Sequence, residues 1–261
     1  MRGIEFHNRE KETIEIRAIL DRRPTLITFV YGPINSGKTE LITHTIEELP
    51  DEYVVFYINL RTKSLSSYDD FIESLFEMEI AADGALKKGV GKETLAIEEV
   101  YSEAMLEDRC RYLLVDGFDE ETTMAFLEAN VLSEGEKELV RHHCGGKPIC
   151  LVELANVGER GQKVKGMLTL EAGEIRPRIK VLKIANKKIL FEGEEVELKY
   201  ENIIKILDGF SDGGSYAYEM ITPEIVYPVK ENILFVDPVR GIIKPQSWLN
   251  LLAIREVVKD V

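Results

Sequence analysis

The chain has 261 residues, 44% hydrophobic and 31% charged, with 33 Lys and Arg against 47 Asp and Glu, a net charge of −14 at pH 7. This length exceeds one average domain and predicts two, each burying its own core, while the acidic balance opposes indiscriminate nucleic-acid binding because such a surface repels phosphate. No apolar run reaches the roughly 20 residues that span a bilayer, and the opening MRGIEFHNRE has no signal-peptide core, so a cytoplasmic protein without a membrane partner is expected.

Ile4 to Leu20 reads as a short extended entry and then a helix with apolar Ile14, Ile16, Ile19 and Leu20. Thr25 to Val30 suits a buried strand and Glu40 to Leu49 a helix. Between them, Gly32-Pro33-Ile34-Asn35-Ser36-Gly37-Lys38-Thr39 fits the pattern G-x-x-x-x-G-K-[ST] in its proper strand-loop-helix setting. The chemistry is anion capture: glycines let successive N–H groups curl around phosphates, and the helix N-terminus, with Glu40 in its first turn, adds partial positive charge. In that arrangement Lys38 reaches the β- and γ-phosphates of ATP and the Thr39 hydroxyl holds Mg²⁺.

Tyr53 to Leu60 predicts a second buried strand, Ser67 to about Ile80 a capped helix, Ala81 to Lys92 a flexible joint and Glu93 to about Leu106 another helix. A strand at Tyr112 to Asp116 and a helix at Glu120 to Ala129 follow. A capping box at Ser133 opens a helix that ends at Gly145-Gly146, and Pro148 begins the next. Strand-helix alternation implies an α/β fold, a parallel sheet flanked by helices, in a phosphate-loop domain over 1–157 whose helical lid covers about 118–157. Over 158–261 the order changes: a helix at Tyr200 to Asp208, strands at Asn232 to Asp237 and Ile242 to Lys244 around a turn, and a helix at Trp248 to Val258, the order of a winged helix.

Cys110, Cys144 and Cys150 form no C-x-x-C pair, which argues against a disulfide framework and a zinc ribbon. Abundant Lys and Glu with only Gln162 and Gln246 as glutamines is a composition associated with thermophiles. Arg176 to Lys188 carries six cations and no acid, either a solvated helix face or a patch for DNA.

The segments FHNREKE from Phe6, YGPINSGKTEL from Tyr31, VFYINLR from Val55, CGGKP from Cys144 and ENILFVDPVRGIIKPQSWLNLLAIREVV from Glu231 together resemble the archaeal ATPase family, a STAND and AAA+-like branch of P-loop NTPases with a C-terminal winged helix. The resemblance implies that Phe6, Asn8 and Arg9 lie near the adenine and that Pro148 packs on the base. It also implies an apolar strand ending in Asp-Glu that supports Mg²⁺ and polarises water. Asp116 is followed by Gly117, and the place for that strand, between Ile80 and Val100, holds only the joint and one helix. The chain therefore looks like a family member with two central strands missing. Asp116 is the substitute candidate for the Mg²⁺ ligand and catalytic acid, and Arg109 or Arg111 the candidate for stabilising charge. Two functions follow: a Mg²⁺-dependent ATPase that reorients its winged helix, or a nucleotide-gated module that binds DNA or protein with little hydrolysis. Oligomeric state is left open.

Overall fold

The computed structural model describes residues 9–22, 27–50, 53, 55 and 110–260. Apart from Tyr53 and Val55, the strand expected at Tyr53 to Leu60 and the helices expected up to Leu106 lie outside the described residues, as do Phe6, Asn8 and Arg109.

Helix α1 (Glu10–Asp21) precedes strand β1 (Ile27–Tyr31), and the phosphate loop leads from β1 into α2 (Lys38–Glu47). Helix α2 starts two residues before the expected Glu40, because Gly37 adopts a left-handed φ of 97° and turns the chain at once into the helix. Strand β1 pairs in parallel with β2 (Cys110–Leu114), from Ile27 opposite Cys110 to Tyr31 opposite Leu114. Regular pairing thus stops short of Asp116, which was expected to end the strand and instead lies in the extended segment beyond it. Leu41, Leu113 and Val115 are buried between this pair and α1 and α2.

Three helices follow: α3 (Glu120–Ala129), α4 (Glu134–Cys144) and α5 (Pro148–Ala155). Their starts are set by local chemistry. Asp119 caps α3 by accepting the Thr122 N–H at 2.8 Å, Ser133 and Glu136 form the expected capping box on α4, and Pro148 occupies the first turn of α5, where its missing N–H costs nothing. Cys144 and Cys150 form a disulfide. This corrects the expectation drawn from cysteine spacing: α4 and α5 meet around a three-residue turn, Gly145 to Lys147, and bring the two Cα atoms to 5.7 Å, within bonding range although no C-x-x-C motif is present. Cys110 is free.

The C-terminal unit opens on a 25-residue helix, α6 (Arg160–Ile184), which the sequence reading did not delineate. Its buried stripe of Val164, Ala172, Ile175, Ile179 and Leu182 faces the core. A hairpin, β3 (Lys188–Phe191) and β4 (Glu194–Glu197), turns through Glu192 and Gly193, both at positive φ. Then come α7 (Tyr200–Asp208), β5 (Tyr216–Ala217), α8 (Pro223–Lys230), β6 (Leu234–Asp237), β7 (Ile242–Pro245) and α9 (Trp248–Lys259). Strands β5, β7 and β6 form an antiparallel sheet with β7 central, over a core that includes Ile203, Phe210, Tyr227, Leu234 and Ile254.

The basic stretch Arg176 to Lys188 spans the end of α6 and the start of β3, and its charges are largely neutralised within the chain. Arg176 pairs with Asp260, Arg178 with Glu174, Lys187 with Glu231 and Lys188 with Glu195. Lys183 sits 4.4 Å over the Tyr200 ring.

Candidate functional site

The phosphate loop is held from three sides. A Cβ at Gly32 would lie 2.1 Å from the Val115 carbonyl oxygen, so only glycine lets the loop approach the segment after β2 this closely. Lys38 donates from Nζ to the carbonyls of Gly32 at 3.0 Å and Pro33 at 2.7 Å, curling over the loop that its own helix follows. Beneath lies Arg9, only 7% exposed: Nη2 donates to the carbonyls of Ser36 and Asp116 at 2.7 Å each, Nη1 to Glu12 at 2.6 Å, and the guanidinium sits 4.9 Å over the Phe118 ring. One side chain therefore ties α1, the loop and the end of β2 together.

The other walls come from more distant segments. A cavity of about 480 Å³ has one wall of Pro33, Ile34 and Ser36, a second of Gly146, Lys147 and Pro148, and a third of Lys244, Gln246 and Trp248 from the C-terminal unit. Gly146 must be glycine here, since a Cβ would meet the Phe118 carbonyl oxygen at 1.8 Å; that contact accompanies a 2.7 Å bond from the Phe118 N–H to the Gly146 carbonyl. Ser36 is buried and its Oγ has no hydrogen-bond partner among the described residues. The Lys147 ammonium has no ion pair or hydrogen bond in the described residues. Burial pushes its pKa down from the ordinary lysine value, opposed by the nearby Glu171 carboxylate. An orphaned hydroxyl in one wall and an unpaired, desolvated cation in the next suit an anionic ligand.

The C-terminal unit engages the loop directly. The Ile34 N–H donates to Gln246 Oε1 at 2.8 Å, and Gln246 is held in place by its own Nε2 bond to the Leu234 carbonyl at 2.7 Å. Tyr31 donates to Asp237 at 3.0 Å and stacks on Phe235 with ring centroids 6.2 Å apart. Burial first, and the Asp237 hydrogen bond second, raise the Tyr31 pKa, so its hydroxyl keeps its proton. Lys244 Nζ forms an ion pair with Asp116 Oδ2.

Of the expected site residues, Pro33, Ser36 and Pro148 line one cavity with Asp116, and Arg9 lies behind it. Arg9 acts on the loop and on Phe118, in a second cavity of about 540 Å³ that Lys11 and Asp119 also line. Asn35, Thr39 and Glu40 are exposed along the loop and the start of α2. Arg111 lies within β2. Asp119 proves to be a helix cap, whose bond from Thr122 also lowers its pKa. Lys147, Lys244 and Gln246, which also line the cavity, were not among the expected site residues. The rarity of glutamine was a signal for the last, because Gln246 is one of only two.

The fit to Mg²⁺ is incomplete. Thr39 is exposed and offers its hydroxyl. The Asp116 carboxylate, however, is engaged at both oxygens: Oδ1 accepts the Gly117 N–H at 2.8 Å and Oδ2 pairs with Lys244. Among the described residues no cluster of three or more His, Cys, Asp or Glu is placed to hold a metal.

A glycine-bounded phosphate loop between a parallel strand and a helix, with its lysine curled over it, fits the class of P-loop proteins. Residues 6–95 match the family model described as "ATPase domain predominantly from Archaea", and residues 161–258 match "Uncharacterized ATP-binding protein MJ1010-like, C-terminal domain". The "Uncharacterized ATP-binding protein MJ1659" of Methanocaldococcus jannaschii is 33% identical, with 99% of each chain covered. The "Uncharacterized ATP-binding protein PYRAB09480" of Pyrococcus abyssi is 31% identical, with 97% of this chain and 98% of that one covered. A crystal structure of the C-terminal domain of a possible ATP-binding protein from Methanocaldococcus jannaschii is 32% identical over 38% of this chain and 98% of that chain, with a TM-score of 0.35. The chain belongs to the archaeal ATPase-domain family of MJ1010-like proteins. The comparison with MJ1659 runs over 364 positions, more than the 261 residues of this chain, so that relative carries internal segments with no counterpart in it.

Proposed function

We propose that this protein binds ATP in the cavity between its phosphate loop and its C-terminal unit and holds the nucleotide as a switching ligand, with little hydrolysis. The observation that carries the reading is the convergence of the loop, the unpaired Lys147 ammonium and the Lys244-Gln246 edge of the C-terminal unit on one cavity. ATP binding is also what the names of the relatives describe. Slow turnover is supported by Asp116, whose carboxylate is taken up by Lys244 and the Gly117 N–H and is not poised to activate water. The missing internal segments are consistent with loss of the usual Asp-Glu strand.

In this reading residues 1–157 form the nucleotide-binding domain with its lid, and 158–261 a winged-helix-like unit. ATP entering the cavity would meet Gln246 and Lys244, and so change how that unit is held. Neutralisation of the Arg176 to Lys188 cations favours a protein over DNA as the partner of the C-terminal unit.

The test is an ATP titration by calorimetry beside a phosphate-release assay on the pure protein. Saturable binding with negligible release is expected. Lys38→Ala should weaken binding by about 1.5–3 kcal/mol, the usual loss for a charge-assisted contact, while staying folded. Ready hydrolysis that Asp116→Asn abolishes without loss of binding would make Asp116 the catalytic acid and reverse the holding role.

A further inference from the structure

We infer that Lys244 takes the place of the divalent cation beside the phosphate loop, so that nucleotide binds here without Mg²⁺, clamped by a charge that the C-terminal unit supplies. The inference rests on the nucleotide-binding reading above and concerns how that site balances charge. A polyphosphate needs positive charge on the side facing the acidic strand end, and in phosphate-loop proteins this role falls to Mg²⁺ bridging the phosphates and a carboxylate.

Here that carboxylate is Asp116, and Lys244 already neutralises it. The lysine is not a stray surface charge. It is fixed in the central strand β7, opposite Phe235 of β6, and its side chain is 18% exposed. The ammonium lies 5.5 Å from the centroid of the Phe235 ring, whose face favours a cation. Two residues on, Gln246 bonds to the loop at the Ile34 N–H, which anchors this edge of the C-terminal unit against the phosphate loop. A divalent ion beside Asp116 would have to displace an ammonium that the fold holds there, against repulsion between like charges in a partly buried site. A phosphate oxygen arriving in the same cavity would instead gain Lys244 as a charge-assisted donor. The loop, Lys147 and Lys244 would then surround the anion from three segments of the chain, each lining the same cavity.

The experiment is calorimetric titration of ATP into the full-length protein, once with excess Mg²⁺ and once with EDTA, for the parent, Lys244→Met and Lys244→Arg. The parent should bind with affinities that agree within about threefold in the two media. Lys244→Met should lose on the order of tenfold in EDTA, the equivalent of one charge-assisted contact, and regain part of it with Mg²⁺, which can now reach Asp116. Lys244→Arg keeps the charge and should stay close to the parent in EDTA. The inference is overturned if the parent loses tenfold or more in EDTA, or if Lys244→Met binds like the parent there. Should Lys244→Met fail to fold, the parent's response to EDTA and that of Lys244→Arg decide the matter. Binding that is tight but strictly Mg²⁺-dependent defeats this inference and leaves the nucleotide-binding reading standing; no binding in either medium defeats both.

Discussion

Arg9 and Lys147 show two opposite uses of a cation next to the same cavity. Arg9 is satisfied: two carbonyls, one carboxylate and one aromatic face take up its guanidinium, a geometry that lysine's single ammonium cannot reproduce. Lys147 is unsatisfied, and its burial favours the neutral form. Its folded pKa is depressed relative to the unfolded chain, so the unfolded state binds more protons as pH approaches the ordinary lysine range, and stability rises with pH through that window. Lys147→Met should therefore raise the thermal midpoint at about pH 7, by roughly 1 kcal/mol in stability, with the advantage shrinking towards about pH 10. The same variant should bind ATP more weakly if the ammonium faces phosphate. Thermal melts at the two pH values and one titration check this; a variant that melts lower at neutral pH would mean that the ammonium is already well solvated or paired. The sequence showed the phosphate loop plainly because its residues are contiguous. Lys147 sat inside a recognised segment, but its isolation depends on helices α6 and α9, which approach from far along the chain.

At the scale of elements, the starts of α3, α4 and α5 were legible because each is written in two to four consecutive residues: Asp119 with Thr122, Ser133 with Glu136, and Pro148. Helix α8 was not, since Pro228 inside it argues against a helix unless tertiary packing buries Ile225, Val226 and Tyr227, as it does, although Pro223 suits its first turn. The disulfide escaped for a similar reason, because its geometry comes from the turn between α4 and α5. That turn holds Gly146 against Phe118, and Gly145 faces Trp248 so closely that a Cβ there would lie 2.9 Å from the Trp248 Cβ. The bridge therefore braces one wall of the candidate site. Closing so short a loop should contribute about 2 kcal/mol. Cys144→Ser combined with Cys150→Ser, or reduction of the parent, should lower the thermal midpoint by about 6 °C for a chain of this size. Thiol titration before and after reduction supplies the control: two additional reactive thiols should accompany the shift, and a shift without them would assign the effect elsewhere.

At the scale of the whole molecule, the C-terminal family-matched region meets the phosphate loop and the segment after β2 at the candidate site through directional contacts: Tyr31 with Asp237, Ile34 with Gln246, and Asp116 with Lys244. The change in element order after Gly158 marked where a second domain was expected, but the contacts across that point were not legible, because no local pattern links Tyr31 to Asp237. The contacts make a thermodynamic prediction. A ligand gripped by the N-terminal domain alone stabilises that domain only, whereas one held between the two must raise the stability of both, by about 2.7 kcal/mol at a hundredfold excess over its Kd. In scanning calorimetry, ATP should therefore move the unfolding of the C-terminal unit upward together with that of the phosphate-loop domain. Gln246→Ala removes the bond to Ile34 and frees the Leu234 carbonyl, so it should weaken that coupling and leave part of the heat absorption at its ligand-free temperature. If ATP raises only one transition in the parent, leaving a second, C-terminal one unmoved, the nucleotide is held by the loop domain alone, and the contacts through Gln246 and Lys244 would then be packing without a part in binding.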